Sequence, residues 1–149
     1  MKIALGSDHG GFELKEIVKE YILKKGYEII DCGTNSLDSV DYPIYGFAVG
    51  KTVSNKEAEI GIIVCGTGIG ISIAANKVSG VRAALCTNSY MAKMAREHNN
   101  ANILALGARV LGTGVALEIV DAFLNSNFAG WRHARRVDLI SEFEKSKNN

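Results

Sequence analysis

The sequence has no long apolar run and no excess of charge of one sign. Its 149 residues include 17 basic and 16 acidic side chains. This balance argues against a general nucleic-acid-binding protein, which usually carries surplus lysine and arginine on one face. No stretch approaches the roughly 20 apolar residues of a membrane span, and the apolar run at residues 3–5 is too short for a signal peptide. We therefore expect a cytoplasmic protein that binds neither nucleic acid nor membrane.

Cysteines and histidines are also few. The sequence contains three of each: Cys32, Cys65, Cys86, His9, His98 and His133. An odd number of cysteines without metal-ligand spacing favours reduced thiols over a disulfide framework. The histidines show no ligand spacing and no carboxylates cluster with them, so we expect no metal site.

The chain has no repeat, low-complexity segment or linker, which predicts a single domain over residues 1–149. Apolar runs predict strands at 2–5, 28–30, 60–64, 81–85 and 103–106. Amphipathic stretches between and after them predict helices at about 14–22, from 41, and at 71–76, 88–97, 112–125 and 131–144. Because the strands lack polar alternation, both faces of the sheet are expected to be buried. The predicted fold is a Rossmann-like three-layer αβα sandwich around a five-stranded parallel sheet.

Ligands of such folds bind beyond the carboxyl ends of the strands, which directs attention to the glycine-rich segment 65–70. Gly66-Thr-Gly-Ile-Gly70 suggests a dinucleotide loop, but Ile71 breaks the G-x-G-x-x-G spacing and no acid follows about 20 residues later. The segment 46–52 resembles a P-loop that is one residue short, and it lies inside a predicted helix. We therefore expect no nucleotide cofactor.

Cys65 is the strongest candidate for chemistry. It ends a buried strand just before a helix, where unpaired N–H groups and the helix dipole favour a thiolate. A thiolate beside backbone donors is what proton abstraction next to a carbonyl requires, because the donors hold the enediolate oxygens. The alternative is a buried, inert cysteine, which is the interpretation we prefer for Cys32 and Cys86.

Two polar segments could assist this chemistry. Asp8 and His9 follow the first strand, where Asp8 could cap the next helix and His9 could donate to hydroxyls or to phosphate. His98 lies at a predicted helix C-terminus, a position that suits either proton exchange near neutral pH or a helix cap formed with Asn99 or Asn100.

An arginine cluster opens the last predicted helix. Arg132, Arg135 and Arg136 occupy a helix N-terminus, where positive charge is unfavourable, so stability does not explain them. Arg132 and Arg136 share a helix face and suit a fork-like grip on phosphate, although a solvated basic turn is the alternative. Arg109, just after the last strand, is a further phosphate candidate.

Five segments in order give the chain a resemblance to the type B ribose-5-phosphate isomerases, a family that also includes galactose- and allose-phosphate isomerases. They are G-S-D-H-G-G-F at 6–12, D-Y-P at 41–43, C-G-T-G-I-G-I-S-I-A-A-N-K at 65–77, H-N-N-A-N at 98–102 and R-H-A-R-R-V at 132–137. The match covers residues 2 to 140, and the segment that begins at Cys65 is the most specific part of it.

The resemblance implies roles for particular residues. Cys65 would be the base that moves a proton between C1 and C2, and His98, helped by Asp8, would open the furanose ring. The enediolate would face Thr67 and the amides of Gly66, Thr67, Gly68, Ile69 and Gly70. The remaining substrate contacts would come from His9, Tyr42, Asn99, Arg109, Arg132 and Arg136.

The family is dimeric and sometimes tetrameric, with sites shared between subunits. The resemblance therefore implies a homodimer in which His98 and Asn99 serve the neighbouring chain and the helix at 131–144 packs on the partner. It implies no cofactor and no metal. The expected substrate is D-ribose 5-phosphate, with allose 6-phosphate or galactose 6-phosphate as alternatives. A non-catalytic flavodoxin-like module that binds a phosphate ligand is a further alternative, but such a module would need neither Cys65 nor His98.

Overall fold

The protein folds as three layers, with a parallel sheet between two layers of helices. The computed structural model describes residues 1–147. The strands are β1 Lys2–Ser7, β2 Glu28–Asp31, β3 Ile60–Cys65, β4 Ala83–Leu85 and β5 Ile103–Gly107. The helices are α1 Phe12–Lys24, α2 Tyr42–Ser54, α3 Ile69–Ala75, α4 Ser89–Asn99, α5 Thr113–Leu124 and α6 Arg132–Lys147. The predicted αβα architecture is confirmed.

Each face of the sheet forms its own apolar core. Ile62 and Val64 of β3 point toward α1, α4 and α5, whereas Ile63 and Cys65 point toward α2 and α3. This alternation follows from the two-residue period of a strand, and it explains why apolar runs without polar alternation predicted a sheet covered on both sides. Cys65 is thus the last side chain of the core beneath α3.

The strand order β2-β1-β3-β5-β4 is parallel throughout, so the carboxyl ends of the strands share one edge. Ser7 lies opposite Val64, and Cys65 lies opposite Gly107. The loops that follow β1, β3 and β5 therefore meet at the centre of this carboxyl edge, where the sequence predicts ligand binding.

Strand β4 is shorter than predicted, beginning at Ala83 rather than Val81. The Val81 amide instead donates to Val78 in the preceding turn, at 3.1 Å. The outer side of β4 is then covered by Asn76. Its carboxamide donates to the Ala83 carbonyl at 2.9 Å and accepts from the Ala83 amide at 2.8 Å. A side chain thus occupies the hydrogen-bonding groups that an edge strand otherwise leaves open.

The helices start within two residues of their predicted positions. Helix α3 begins at Ile69, two residues before the predicted start at Ile71. Asp41 precedes α2 as predicted, but its side chain accepts no hydrogen bond from the helix. Pro43 supplies no N–H at the second helical position, which removes one of the two donors that a capping carboxylate normally binds. Within residues 1–147, no helix combines the length and apolar character needed to cross a bilayer.

Candidate active site

Backbone hydrogen bonds join the three loops at the carboxyl edge. The Asp8 amide donates to the Val64 carbonyl at 3.3 Å, which ties the loop after β1 to the end of β3. Ala108 donates to the Cys65 carbonyl and Arg109 donates to the Gly66 carbonyl, both at 2.9 Å, which ties the loop after β5 to the glycine-rich loop. These hydrogen bonds hold the three loops in fixed positions at the base of the site.

The Cys65 thiol lies at the end of β3, beneath these loops, with only 4% of the residue exposed. Its Sγ accepts a hydrogen bond from the Gly68 amide at 3.2 Å. Gly68 has a φ of +79°, and a Cβ at this position would lie 2.5 Å from Leu85 Cδ1, so both backbone conformation and space require glycine. The N–H donor facing sulfur gives Cys65 the surroundings in which a thiol can act as a base.

Thr67 and Ile69 are the exposed residues of the same loop. Thr67 carries the hydroxyl. Its Oγ1 accepts from the Ile69 amide at 3.2 Å, which leaves the hydroxyl hydrogen free to turn toward a ligand. Gly70 lies beneath the ring of Tyr42, where an added Cβ would meet ring carbon Cζ at 2.7 Å. Tyr42 therefore lies beside the glycine-rich loop, and glycine at position 70 is what allows that contact.

Arg109 reaches back across the site. Its Nη1 lies 3.0 Å from the point where a Cβ of Gly66 would stand, and its Nη2 lies 3.4 Å from the equivalent point at Gly10. Two glycines thus make room for the guanidinium. Among residues 1–147, no carboxylate lies within 4.0 Å of it. The charge of Arg109 is available to an anionic group beside Cys65.

Asp8 and His9 are both held by backbone amides. Asp8 Oδ1 accepts from Gly11 at 3.0 Å and so caps a single turn of 3-10 helix, as the capping interpretation predicted. His9 Nδ1 accepts from the Val40 amide at 3.1 Å. A neutral imidazole that accepts at Nδ1 carries its hydrogen on Nε2, which leaves His9 a donor for a ligand.

His98 and Asn99 lie at the opposite edge of the sheet. Helix α4 starts after the carboxyl end of β4 and runs back to the amino end of β5. At its end, the Asn99 carbonyl accepts from Nε of Arg82, the residue before β4, at 3.2 Å. The length of β5 therefore separates His98 from Cys65 within one chain, roughly 15 Å for five strand residues.

Arg132 and Arg136 belong to the same remote group. The Ala129 amide donates to the Glu97 carbonyl at 3.0 Å, which attaches the start of α6 to the end of α4. The chain consequently carries two separate polar groups. The carboxyl-edge group consists of Asp8, His9, Tyr42, Cys65, Gly66, Thr67, Gly68, Ile69, Gly70 and Arg109. The amino-edge group consists of His98, Asn99, Arg132, His133 and Arg136.

His133 is the residue that sequence analysis did not single out. Its ring stacks on His98 with centroids 4.1 Å apart and planes 9° from parallel. Burial, the neighbouring His98 and the charges of Arg132 and Arg136 all lower the pKa of His133. The two histidines are 35 positions apart in sequence, so no spacing rule connects them. The only available signal was the position of His133 between arginines already under consideration.

Comparison with known proteins shows which family the chain matches. The sequence model described as Ribose/Galactose Isomerase matches residues 3–140. The chain belongs to the ribose/galactose isomerase family. Within it, the ribose-5-phosphate isomerase B of Escherichia coli (strain K12) is 46% identical over 147 residues, with 99% of both chains covered. The family expected from the five sequence segments is thereby confirmed.

Solved structures of family members share the fold closely. The ribose-5-phosphate isomerase B of Clostridium thermocellum superimposes with a TM-score of 0.98 at 58% identity, over 99% of each chain. The enzyme from Mycoplasma genitalium, solved with bound ribulose 5-phosphate, gives a TM-score of 0.93 at 44% identity, over 97% of this chain and 96% of that one. In the part of this family member that the structure describes, no group of three or more His, Cys, Asp or Glu side chains is placed to hold a metal ion.

Proposed function

We propose that the protein interconverts D-ribose 5-phosphate and D-ribulose 5-phosphate as an aldose–ketose isomerase. One observation carries the proposal: the Cys65 sulfur, which accepts a hydrogen bond from the Gly68 amide, shares the carboxyl edge with the Arg109 guanidinium, which has no carboxylate within 4.0 Å in the described part of the chain. A base and an anion-binding group are thus held together in a chain of the isomerase family. The substrate is proposed from the relatives, which include the Mycoplasma genitalium enzyme solved with ribulose 5-phosphate.

Cys65 is the proposed base of the isomerisation. As a thiolate it removes the proton from C2 of the open-chain aldose, and the electron pair forms the enediolate. The same proton returns to C1, while the hydroxyl proton on O2 passes to O1, so the product is the ketose with no net redox change. The amides of the glycine-rich loop and the Thr67 hydroxyl stabilise the negative oxygen, and no external electron acceptor is needed.

His98 and Asp8 are the proposed ring-opening groups. Opening the furanose requires a proton to leave the O1 hydroxyl and another to reach the ring oxygen, a task that suits an imidazole near neutral pH. Asp8 uses Oδ1 for the Gly11 amide and has Oδ2 left to orient that hydroxyl. His98 stands at the far edge of its own sheet, so we propose that it reaches the site from a second subunit.

The phosphate is proposed to lie between two groups of donors. His9 and Arg109 belong to the subunit that supplies Cys65, while Arg132 and Arg136 come with His98 from the partner. Asn99 of the same partner segment binds a sugar hydroxyl. These roles rest on the position of each side chain and on the resemblance to the family.

The proposed assembly is a homodimer with two shared sites. Helix α6 supports it because only His133 and Val137 of this helix are buried in the single chain. Leu139, Ile140 and Phe143 are exposed along α6, and exposed apolar side chains at helical spacing are typical of a surface that packs on a partner. Pairing of such dimers would give a tetramer. We further propose that the whole chain forms one catalytic domain and acts in the cytoplasm.

A panel assay tests the function. Wild type is incubated with pentose and hexose phosphates, with and without chelator, and Cys65→Ala is assayed beside Cys86→Ala. We expect turnover of ribose 5-phosphate that is insensitive to chelator and falls at least ~10²-fold in Cys65→Ala, because the base is lost. Cys86, buried under α4, should be replaceable with little effect on kcat. Near-wild-type turnover of Cys65→Ala would contradict the mechanism, and activity on six-carbon phosphates alone would contradict the substrate.

A further inference from the structure

Trp131 is the only tryptophan of the chain, and it is almost completely exposed. The residue retains 91% of its maximal accessible surface. It stands between Gly130 and the first residue of α6, and its carbonyl accepts from the Ala134 amide at 3.1 Å. No aromatic stacking or cation–π contact within residues 1–147 involves the indole. Burial within its own chain therefore does not explain the residue.

The backbone does not explain Trp131 either. Its φ is +54°, directly after Gly130 at +68°. The left-handed region is natural for glycine but unfavourable for a bulky side chain, so glycine would be the better residue at both positions. A tryptophan also has no side-chain acceptor with which to cap the helix that follows. The indole is kept in a position where it costs stability.

The surroundings of Trp131 indicate what it contacts. It adjoins Arg132, and His133 beyond it stacks on His98. The proposed function assigns Arg132 to phosphate binding and His98 to ring opening in the partner's site. If those groups enter the partner's site, the exposed indole lies beside them there, because Trp131 directly precedes the first residue of α6.

We propose that Trp131 of one subunit forms the outer wall of the partner's active site at the phosphate end of the sugar. The inference rests on the proposed function and adds a substrate-binding residue to it. The indole covers the phosphate and its arginine contacts from water, which strengthens those charge-assisted bonds. The strained backbone fits this role, since such conformations persist at binding sites where the function compensates the cost.

The test compares Trp131→Gly with Trp131→Phe. Glycine relieves the backbone and removes the wall, so we expect an unchanged or higher melting temperature and a KM for ribose 5-phosphate raised roughly 5- to 20-fold, with kcat changed less. Phenylalanine keeps an aromatic wall and should restore most of the affinity. A merely structural role would instead lower the melting temperature and leave KM unchanged, and that outcome would overturn the proposal.

Fluorescence gives a second readout that needs no turnover. Because Trp131 is the sole tryptophan, we expect its emission to shift to shorter wavelength when ribose 5-phosphate is added to the Cys65→Ala variant. Inorganic phosphate is the smaller probe and should produce part of the shift. An unchanged emission spectrum at saturating ligand would contradict the proposal that Trp131 covers the bound phosphate. Failure of the proposed function is distinguishable, because wild type would then turn over no sugar phosphate whatever the indole reports.

Discussion

The three cysteines have the same side chain but very different surroundings. Cys65 ends β3 with an amide donor on its sulfur. The Cys86 thiol donates to the Ala84 carbonyl at 3.7 Å, and burial raises its pKa to about 11. Burial also raises the pKa of Cys32, and the hydrogen bond with Thr52 offsets only part of this effect. Position in the fold therefore separates one candidate base from two structural thiols.

This contrast predicts selective alkylation. At pH 8 about one Cys86 thiol in a thousand is ionised, so iodoacetamide should leave it unmodified in the native protein. We expect Cys65 to react faster and ribose 5-phosphate to protect it, as measured by mass spectrometry of the cysteine peptides. Unfolded protein is the control, in which all three thiols should react alike. Preferential native labelling of Cys86 would contradict the assignment.

At this scale the sequence predicted what depends on local order. Cys65 was identified because a buried strand, a cysteine and a glycine-rich segment follow one another directly. The stacking of His133 on His98 was not predicted, since it depends on how α6 returns to the end of α4. The position of Arg109 over Gly10 and Gly66 likewise emerges only when three loops meet.

Among the elements, α1 and β2 are joined by an ion pair between a buried lysine and a partly exposed aspartate. Lys15 is fully buried, and its Nζ lies 2.8 Å from Asp31 Oδ1 and 3.2 Å from Glu16. Burial alone would raise the pKa of Asp31, but hydrogen bonds from Lys15 and Lys19 outweigh it and hold the pKa below its usual value. Asp31 also accepts from the Gly33 amide at 2.9 Å, which orients the loop beside Ser7 and Asp8.

Asp31→Asn tests this ion pair. Asparagine keeps an oxygen for Gly33 but leaves the buried Lys15 charge with weaker compensation, so we expect a loss of about 3 kcal/mol in the free energy of unfolding. Because the folded-state pKa of Asp31 is lowered, its contribution is complete above the unfolded value of 3.8 and is lost as pH falls below it. Urea unfolding from pH 7 to pH 3 should show the wild-type advantage shrink below pH 4.

The control for that prediction is the double variant Lys15→Met with Asp31→Asn. Removing both partners leaves no unpaired buried charge, so the double variant should be more stable than the sum of the two single losses predicts. Strict additivity would mean that the pair does not interact. A constant difference between wild type and Asp31→Asn across the whole pH range would contradict the assigned pKa shift.

The boundaries of strands are harder to predict from sequence than their presence. Every strand was predicted from its apolar run, and the compositional signal is strongest in β1, β3 and β5, which are buried on both faces. Strand β4 nevertheless begins two residues late, since Val81 joins a turn and the Asn76 carboxamide covers the outer side of Ala83. Such side-chain bonds to the backbone span several residues and leave no periodic pattern.

For the whole molecule, topology explains why a single chain holds only half of each proposed site. In a parallel sheet, a helix that follows one strand must return to the opposite edge before the next. His98 lies at the end of such a helix, so it is remote from Cys65 in the same chain. The resemblance to the family had led us to expect a dimer. The structure supplies the physical reason why a second subunit would be required.

Subunit mixing tests the shared sites. Cys65→Ala and His98→Asn homodimers should each be nearly inactive on the cyclic substrate, because every site lacks one group. A mixed dimer contains one site with both defects and one intact site, which pairs the cysteine of one chain with the histidine of the other. Random reassociation of equal amounts makes half of the dimers mixed, so about a quarter of wild-type activity should return.

The recovered activity should grow at the rate of subunit exchange, which native mass spectrometry of differently tagged chains can follow in the same samples. Mixing Cys65→Ala with Cys65→Ser is the matched control, because every dimer then lacks the base and no activity should return. If both groups acted within one chain, the first mixture would also stay inactive although mixed dimers had formed. Recovery therefore requires the carboxyl-edge group of one subunit to work with the amino-edge group of another, which the separation of Cys65 and His98 across the sheet predicts.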